Sequence, residues 1–374
     1  MQKPDNPFSI KGYYGPEYFC DREKELARIL SAVKNNRNLV LISPRRMGKT
    51  GLIRHAAHSL VRRKVPVFFV DIYGSNSMHE LVQLLAKHVL GKLDNKPERL
   101  LLSLKNTFGS LRPAIEFDQF SGAPSITFDI QRREAKTSTL EKILNYVEAR
   151  KQRVVIALDE FQQVTKYKEK NAEALLRSII QHCNYTHFIF SGSHQSIMTS
   201  MFGLPNRPFY NSAEMLELQP VPVEAYAAFI QLHFKSARKQ MPLPTAKLIV
   251  ELGREHTYYI QHLCNKLFTL PLKSYDEQVV RKTLGELLSE NEGTFYNYRN
   301  LMTDNQWKLV RAIAKEEGVK RLTGAEFLQK HHLGSSSSVQ RSAKALMDAE
   351  FIFQWRGVYH VYDQFFAQWM AHKF

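Results

Sequence analysis

The stretch that decides the fold is "LVLISPRRMGKTGLI", residues 39–53. A short apolar run stops at Ser43, a basic turn follows, and Gly48-Lys49-Thr50 opens a helical pattern. Strand, turn and helix in that order suit a phosphate cradle of the form GxxxxGK[ST], with Ser43 where the first glycine is usual. Such a cradle needs backbone N–H groups turned inward at a helix N-terminus, a lysine for the outer phosphates and a hydroxyl for Mg²⁺. Ser43, Pro44, Arg45, Arg46, Met47, Gly48, Lys49, Thr50 and Gly51 are therefore the candidate nucleotide-binding residues. A serine fits the first position provided its φ stays negative.

Working outward, four apolar runs alternate with helical patterns: "NLVLIS" (38–43), "VPVFFVDI" (65–72), "RVVIALDE" (153–160) and "HFIFSGS" (187–193). Runs nearly continuous in Val, Ile, Leu and Phe predict parallel strands of an α/β sheet. "EMLEL" (214–218) alternates and predicts an edge strand. Residues 17–33 predict a helix with Asp21 as N-cap and Leu26, Ile29, Leu30 and Val33 as its apolar stripe. Residues 95–139 are irregular, and "FDQFSGAPSITFDIQRRE" within them reads as an insertion or a hairpin.

The third run ends in Asp159-Glu160, at the strand edge where ligands of open α/β sheets bind. Asp159, with Thr50, is the candidate Mg²⁺ holder. Glu160 is the candidate base for an attacking water. Ser193, at the tip of the next strand, is a third catalytic candidate beside Lys49; Ser191 could equally cap a turn.

From Pro220 the strand pattern gives way to helices, 276–301 also reading as helical. After Met302 come three helices, the first capped by Thr303 or Asp304, and then "FIFQWRGVYHVY", two strands around Arg356-Gly357. That order predicts a winged helix-turn-helix. The expected division is 1–219 core, 220–301 helical lid and 302–374 winged helix. In the third of these helices Val339, Ala343 and Leu346 face inward. Ser337, Gln340, Arg341 and Lys344 face outward and can meet phosphates or base edges. Residues 302–374 carry ten basic side chains against seven acidic, a weak excess for a DNA reader, and Trp355 and Tyr359 suit a packing surface. DNA binding and docking to protein both remain open.

The chain of 374 residues is 44% hydrophobic, enough for a sizeable core, and carries a net charge of +16. Such an excess favours polyanions. It is concentrated: no acid falls between Glu25 and Asp71. Cys20, Cys183 and Cys264 are odd in number and far apart, against a disulfide framework or a structural zinc site. No run approaches the roughly 20 apolar residues of a membrane helix. The expectation is a cytoplasmic protein without membrane contact.

With these residues in view, the sequence resembles the archaeal-type AAA-like ATPases, relatives of the STAND signalling ATPases and of origin-recognition ATPases. The resemblance spans nearly the whole chain: "YFCDREKEL" (18–26), "SPRRMGKTGLI" (43–53), "VFFVDIYG" (67–74), "VVIALDEFQ" (154–162), "FIFSGS" (188–193), "LELQPV" (216–221), "TYYIQ" (257–261) and the winged tail. It implies an ASCE-type P-loop core with a helical lid and a winged helix, ATP and Mg²⁺ as ligands, and ATP hydrolysis driving a molecular switch. It also implies Phe19 and Arg22 near the adenine, although a packed helix start explains them equally. Two departures stand out. Asn211-Ser212 replaces a Gly-Arg whose arginine reaches the γ-phosphate, leaving only the shifted Arg207, and His256-Thr257-Tyr258 lacks a lid proline. A DNA-binding protein with structural nucleotide, or an ATP-sensing scaffold for a protein partner, are the alternatives.

Overall fold

The computed structural model describes residues 4–90, 93, 111–117, 124–130 and 136–374. The chain forms two compact units, Arg22–Gln219 and Met1–Asp21 with Pro220–Phe374.

In the first unit, β1 (Leu39–Ile42) and β2 (Val67–Asp71) are followed by an antiparallel hairpin, β3 (Leu111–Phe117) with β4 (Pro124–Ile130). Then come β5 (Val154–Asp159), β6 (Thr186–Gly192) and β7 (Glu214–Glu217). The main sheet is parallel, in the order β2-β5-β6-β1-β7. β1, β5 and β6 are buried along their whole length, as their unbroken apolar runs require. β2 and β7 are the edges. Phe68 and Val70 of β2 point into the core while Asp71 is exposed. The hairpin lies in the stretch expected to be an insertion or hairpin; residues 95–110, 118–123 and 131–135 of that stretch lie outside the described residues, apart from the strands named.

One sequence expectation changes. The first long helix runs Glu23–Lys34, and its N-cap is Arg22 at φ 77°, with no side-chain cap; Asp21 sits one step earlier at φ 55°. The Arg22 guanidinium is drawn inward instead, donating to the carbonyls of Gln219 and Met47 and to Glu25. The stretch 276–301 is helical as expected, in two helices, Glu277–Glu290 and Glu292–Asn300, that meet at Asn291.

The second unit is built on one apolar cluster that runs from Tyr226 and Ile260 through Leu287 to Trp307, Leu346 and Phe366. Its tail has the winged order. Helix Asp304–Lys315 starts in a capping box between Thr303 and Gln306, and helices Ala325–Lys330 and Ser336–Asp348 follow. β8 (Ile352–Trp355) and β9 (Val358–Val361) pair antiparallel across Arg356 and Gly357, both at positive φ, the turn twist a two-residue hairpin favours. Val319 bridges Tyr359 as a short third strand.

The N-terminal residues belong to this unit. Phe8 is fully buried, with ring centroids 5.4 Å from Phe234, 5.7 Å from His233 and 5.8 Å from Phe268. Asn6 donates to the Asn265 carbonyl at 3.0 Å, and Asn265 donates back to the Phe8 carbonyl at 2.7 Å.

Phe8→Ala removes the anchor of this segment and should cost about 3–5 kcal/mol. The chain's three tryptophans, Trp307, Trp355 and Trp369, all lie in this unit. Urea unfolding followed by tryptophan fluorescence measures the loss; a change below about 1 kcal/mol would show that Phe8 anchors nothing.

Candidate functional site

The P-loop connects the C-terminal end of β1 to the helix Lys49–Arg62. Its left-handed positions are Arg46 (φ 67°) and Gly48 (φ 94°); Ser43 is not among them. A serine is accepted at Ser43 because the loop makes its left-handed turns elsewhere. The Ser43 side chain donates to the Pro44 carbonyl at 2.9 Å. Ser43, Pro44 and Met47 are buried, Arg45 and Gly48 half-buried, and Arg46 exposed.

Lys49 is 6% exposed, and its ammonium donates to the carbonyls of Ser43 at 2.8 Å and Pro44 at 3.1 Å. Burial lowers its pKa to about 8, against the raising influence of Glu160 and Asp159. The helix N-terminus adds fixed positive potential at the same place.

β6 separates β1 from β5, so the P-loop and Asp159 flank the tip of β6. The Thr50 hydroxyl donates to Asp159 Oδ2 at 2.9 Å, joining residues 109 positions apart. Burial pushes the Asp159 carboxyl above the usual range, with Glu160 adding to the effect; the Ser191 and Thr50 hydroxyls and Lys49 oppose it. A buried carboxylate beside a hydroxyl is an oxygen set that fits Mg²⁺, which takes one or two carboxylates and completes its shell with phosphate and water oxygens. Among the described residues no group of three His, Cys, Asp or Glu is placed to hold a metal without such help.

Glu160 leaves β5 at φ 56° and is half-buried. Its Oε2 accepts from Ser193 Oγ at 2.6 Å and from Gln162 Nε2 at 2.5 Å. Gln162 Nε2 also lies 3.3 Å from Ser193 Oγ, and Arg45 Nε donates to that oxygen at 3.4 Å. The three expected catalytic side chains, Lys49, Glu160 and Ser193, are thus in one unit and around one crevice. Gln162 belongs with them and was not singled out from the sequence. Its only sequence signal is its place two residues beyond Glu160, which a turn after β5 converts into proximity. Gly192 is a second omission: a Cβ there would lie 2.5 Å from Met198 and 2.6 Å from Gln162 Oε1.

Arg22 is buried beside the P-loop, held by Glu25 and by the Met47 and Gln219 carbonyls. Phe19 belongs to the other unit, its ring edge-on to Tyr13 at 5.9 Å. Arg207 pairs with Glu173 within the first unit, so its charge is already engaged there. The outward residues Gln340, Arg341 and Lys344 are exposed on the helix Ser336–Asp348, while Val339, Ala343 and Leu346 are buried. Among the described residues no helix is long and apolar enough to cross a membrane.

Comparison with known proteins agrees with this geometry. Residues 19–251 match the family described as "ATPase domain predominantly from Archaea", and residues 293–372 match one described as a probable winged helix domain. No curated protein sequence matches the chain. Among solved structures, the Walker-type ATPase PABY2304 of Pyrococcus abyssi superposes with a TM-score of 0.65 at 17% identity, covering 97% of this chain and 99% of that one. The ORC2 protein of Aeropyrum pernix, in ADPNP and ADP complexes, superposes with a TM-score of 0.58 at 14% identity, covering 98% and 95%. At these identities the likeness shows the fold, a P-loop NTPase sheet with a C-terminal winged helix domain.

Lys49 titrates at about 8 when folded and at its ordinary 10.5 when unfolded. Between those values the unfolded chain binds more protons, so this site's contribution to stability rises with pH across that window and is flat below it. Lys49→Met should abolish the rise. Circular dichroism unfolding of both proteins from pH 7 to about 10.5 measures it; a wild-type-minus-variant difference that stays flat would sink the reading of a buried ammonium.

Proposed function

We propose that this chain, which belongs to the family of ATPase domains found predominantly in Archaea, binds ATP with Mg²⁺ at the P-loop and hydrolyses it. The observation that carries the reading is the Thr50–Asp159 hydrogen bond of 2.9 Å beside a Glu160 carboxylate held by Ser193 and Gln162. The P-loop N–H groups and the Lys49 ammonium would neutralise the β- and γ-phosphates. Thr50 and Asp159 would hold Mg²⁺, which supplies charge stabilisation to a phosphoryl group leaving in line. Glu160 Oε1 accepts no hydrogen bond from Ser193 or Gln162, whose contacts are to Oε2, and would orient and deprotonate the water. Ser193, fixed on the end of β6, would hold that carboxylate in position.

In this reading ATP and ADP states set the positions of residues 220–301 as a lid and of 302–374 as a winged helix, so that hydrolysis resets a switch. The paired state of Arg207 favours slow turnover, or turnover completed by an arginine from a partner protein. A second reading assigns the winged helix to double-stranded DNA. It is supported by Gln340, Arg341 and Lys344, which are exposed on one helix whose first acid is Asp348.

ATP binding and phosphate release should be measured together. Lys49→Ala should weaken ATP binding at least about tenfold. Glu160→Gln should keep binding and lower kcat by about 10²-fold or more. Normal nucleotide affinity in Lys49→Ala would remove the ATPase reading. For the second reading, Arg341→Ala/Lys344→Ala should weaken duplex binding and reduce its salt slope by about 2; unchanged binding would remove it.

A further inference from the structure

The acid-free basic run from Arg28 to Lys64 is only partly used by the P-loop. In a parallel sheet the turns that precede the strands all gather at the end opposite the P-loop. Here those turns are 35–38 before β1, 63–66 before β2, 149–153 before β5 and 181–185 before β6. Together with the helix ends that enter them they carry Lys34, Arg62, Arg63, Lys64, Lys151 and Arg153, five of them exposed and Arg153 half-buried, besides Arg37, which pairs with Glu214, and Arg150, which donates to Tyr146 and to the Leu93 carbonyl. The turns touch one another. Arg153 donates to the Lys34 carbonyl at 3.4 Å and to Asn36 Oδ1 at 3.2 Å, and Gln152 donates to the Lys64 carbonyl at 3.0 Å. The cations therefore form one rim, extending across three strand spacings from β2 to β1, about 14–15 Å.

Two carboxylates stand beside these turns, Glu214 next to 35–38 in space and Glu148 just before 149–153, and both are committed. Glu214 pairs with Arg28 and Arg37. Glu148 is half-buried; although burial pushes its carboxyl up, hydrogen bonds from Thr186 and from the N–H groups of Asn184, Tyr185 and Thr186 hold it below the usual range. Among the described residues none of the six rim cations has a carboxylate partner. Uncompensated like charges on adjoining turns repel one another and cost stability unless an anion meets them. Tyr185, 39% exposed, is the aromatic on these turns, so stacking platforms for single strands are sparse. Long cations on turns, with no helix or ribbon presented to a groove, match phosphodiester contacts that position without reading sequence.

We propose that this rim, at the end of the core sheet away from the P-loop, docks double-stranded nucleic acid through its backbone phosphates. The surface lies in Arg22–Gln219, whereas the winged helix belongs to the other unit.

The test uses the full chain and a fluorescein-labelled mixed-sequence duplex of about 20 base pairs, with anisotropy read from about 50 to 200 mM KCl. Wild type should bind with a steep salt dependence. The variant Arg63→Gln/Lys64→Asn/Lys151→Asn should bind at least about tenfold more weakly, with a log–log salt slope shallower by about 2–3, while ATP binding is unchanged. Asparagine is chosen because Lys64 (φ 60°) and Lys151 (φ 50°) are left-handed, a conformation Asn tolerates. A second measurement needs no variant: duplex should protect Lys34, Lys64 and Lys151 of wild type from acetylation by an N-hydroxysuccinimide ester, read by mass spectrometry, and leave Lys235 reactive. The proposal is overturned by absence of duplex binding, by binding that Arg341→Ala/Lys344→Ala abolishes and the rim variant leaves intact, by unprotected rim lysines, or by association with phosphatidylserine vesicles but not with duplex.

Discussion

A protonated amine buried at the end of β1 is the constraint on which the core unit depends. Lys49 is surrounded by protein, and its charge is tolerable only because carbonyls of its own loop and the carboxylates at the end of β5 surround it. For those carboxylates to arrive, β5 must run parallel to β1 at a distance of one intervening strand, and the loop must fold back over its own helix. Order, direction and loop conformation are thus tied to one charge. The same arrangement burdens Asp159, whose ionised form is disfavoured by burial and by the neighbouring Glu160. A crevice that holds one cation and two carboxylates at close range without full compensation is suited to a ligand carrying both signs, as a nucleotide with its divalent ion does.

The second unit is organised on a different principle. Among its described residues the buried polar side chains are His, Thr and Gln, and the unit is built on a continuous apolar cluster into which helices, a small hairpin and the N-terminal segment all contribute. Phe8 and the Asn6–Asn265 pair close that cluster with residues from the other end of the chain. This is why the segment before the first core helix is a structural part of the helical unit. Its loop-closure cost is offset by one aromatic side chain and by two hydrogen bonds, from the Asn6 side chain to the Asn265 carbonyl and from the Asn265 side chain to the Phe8 carbonyl.

Charge divides along the strands of the core sheet. At the C-terminal ends, cations face carboxylates in a narrow crevice. At the N-terminal ends, cations stand on exposed turns and the local acids are spent on Arg28, Arg37 and the start of β6. The two ends therefore offer different electrostatic services, one to a small ligand with its metal, the other to an extended polyanion.

By itself the sequence determined the periodic features. β1, β5 and β6 were legible as unbroken apolar runs, the P-loop as strand, basic turn and GKT, and the winged tail as three amphipathic helices before a Gly-centred hairpin. These depend on local spacing and on burial, which composition records directly. Asp159 and Glu160 were legible for the same reason, standing where a buried run ends. Tertiary structure alone decided what distant residues do to one another. Asp21 looked like an N-cap, but a left-handed Arg22 takes that place because its guanidinium finds carbonyls from Met47 and Gln219. Gln162 and Gly192 acquire meaning only when β5 and β6 lie side by side, and Arg207 loses its freedom to Glu173. The rim of cations was visible as a run but not as a surface. Its residues come from turns more than a hundred positions apart, and only the parallel direction of the strands gathers them at one end.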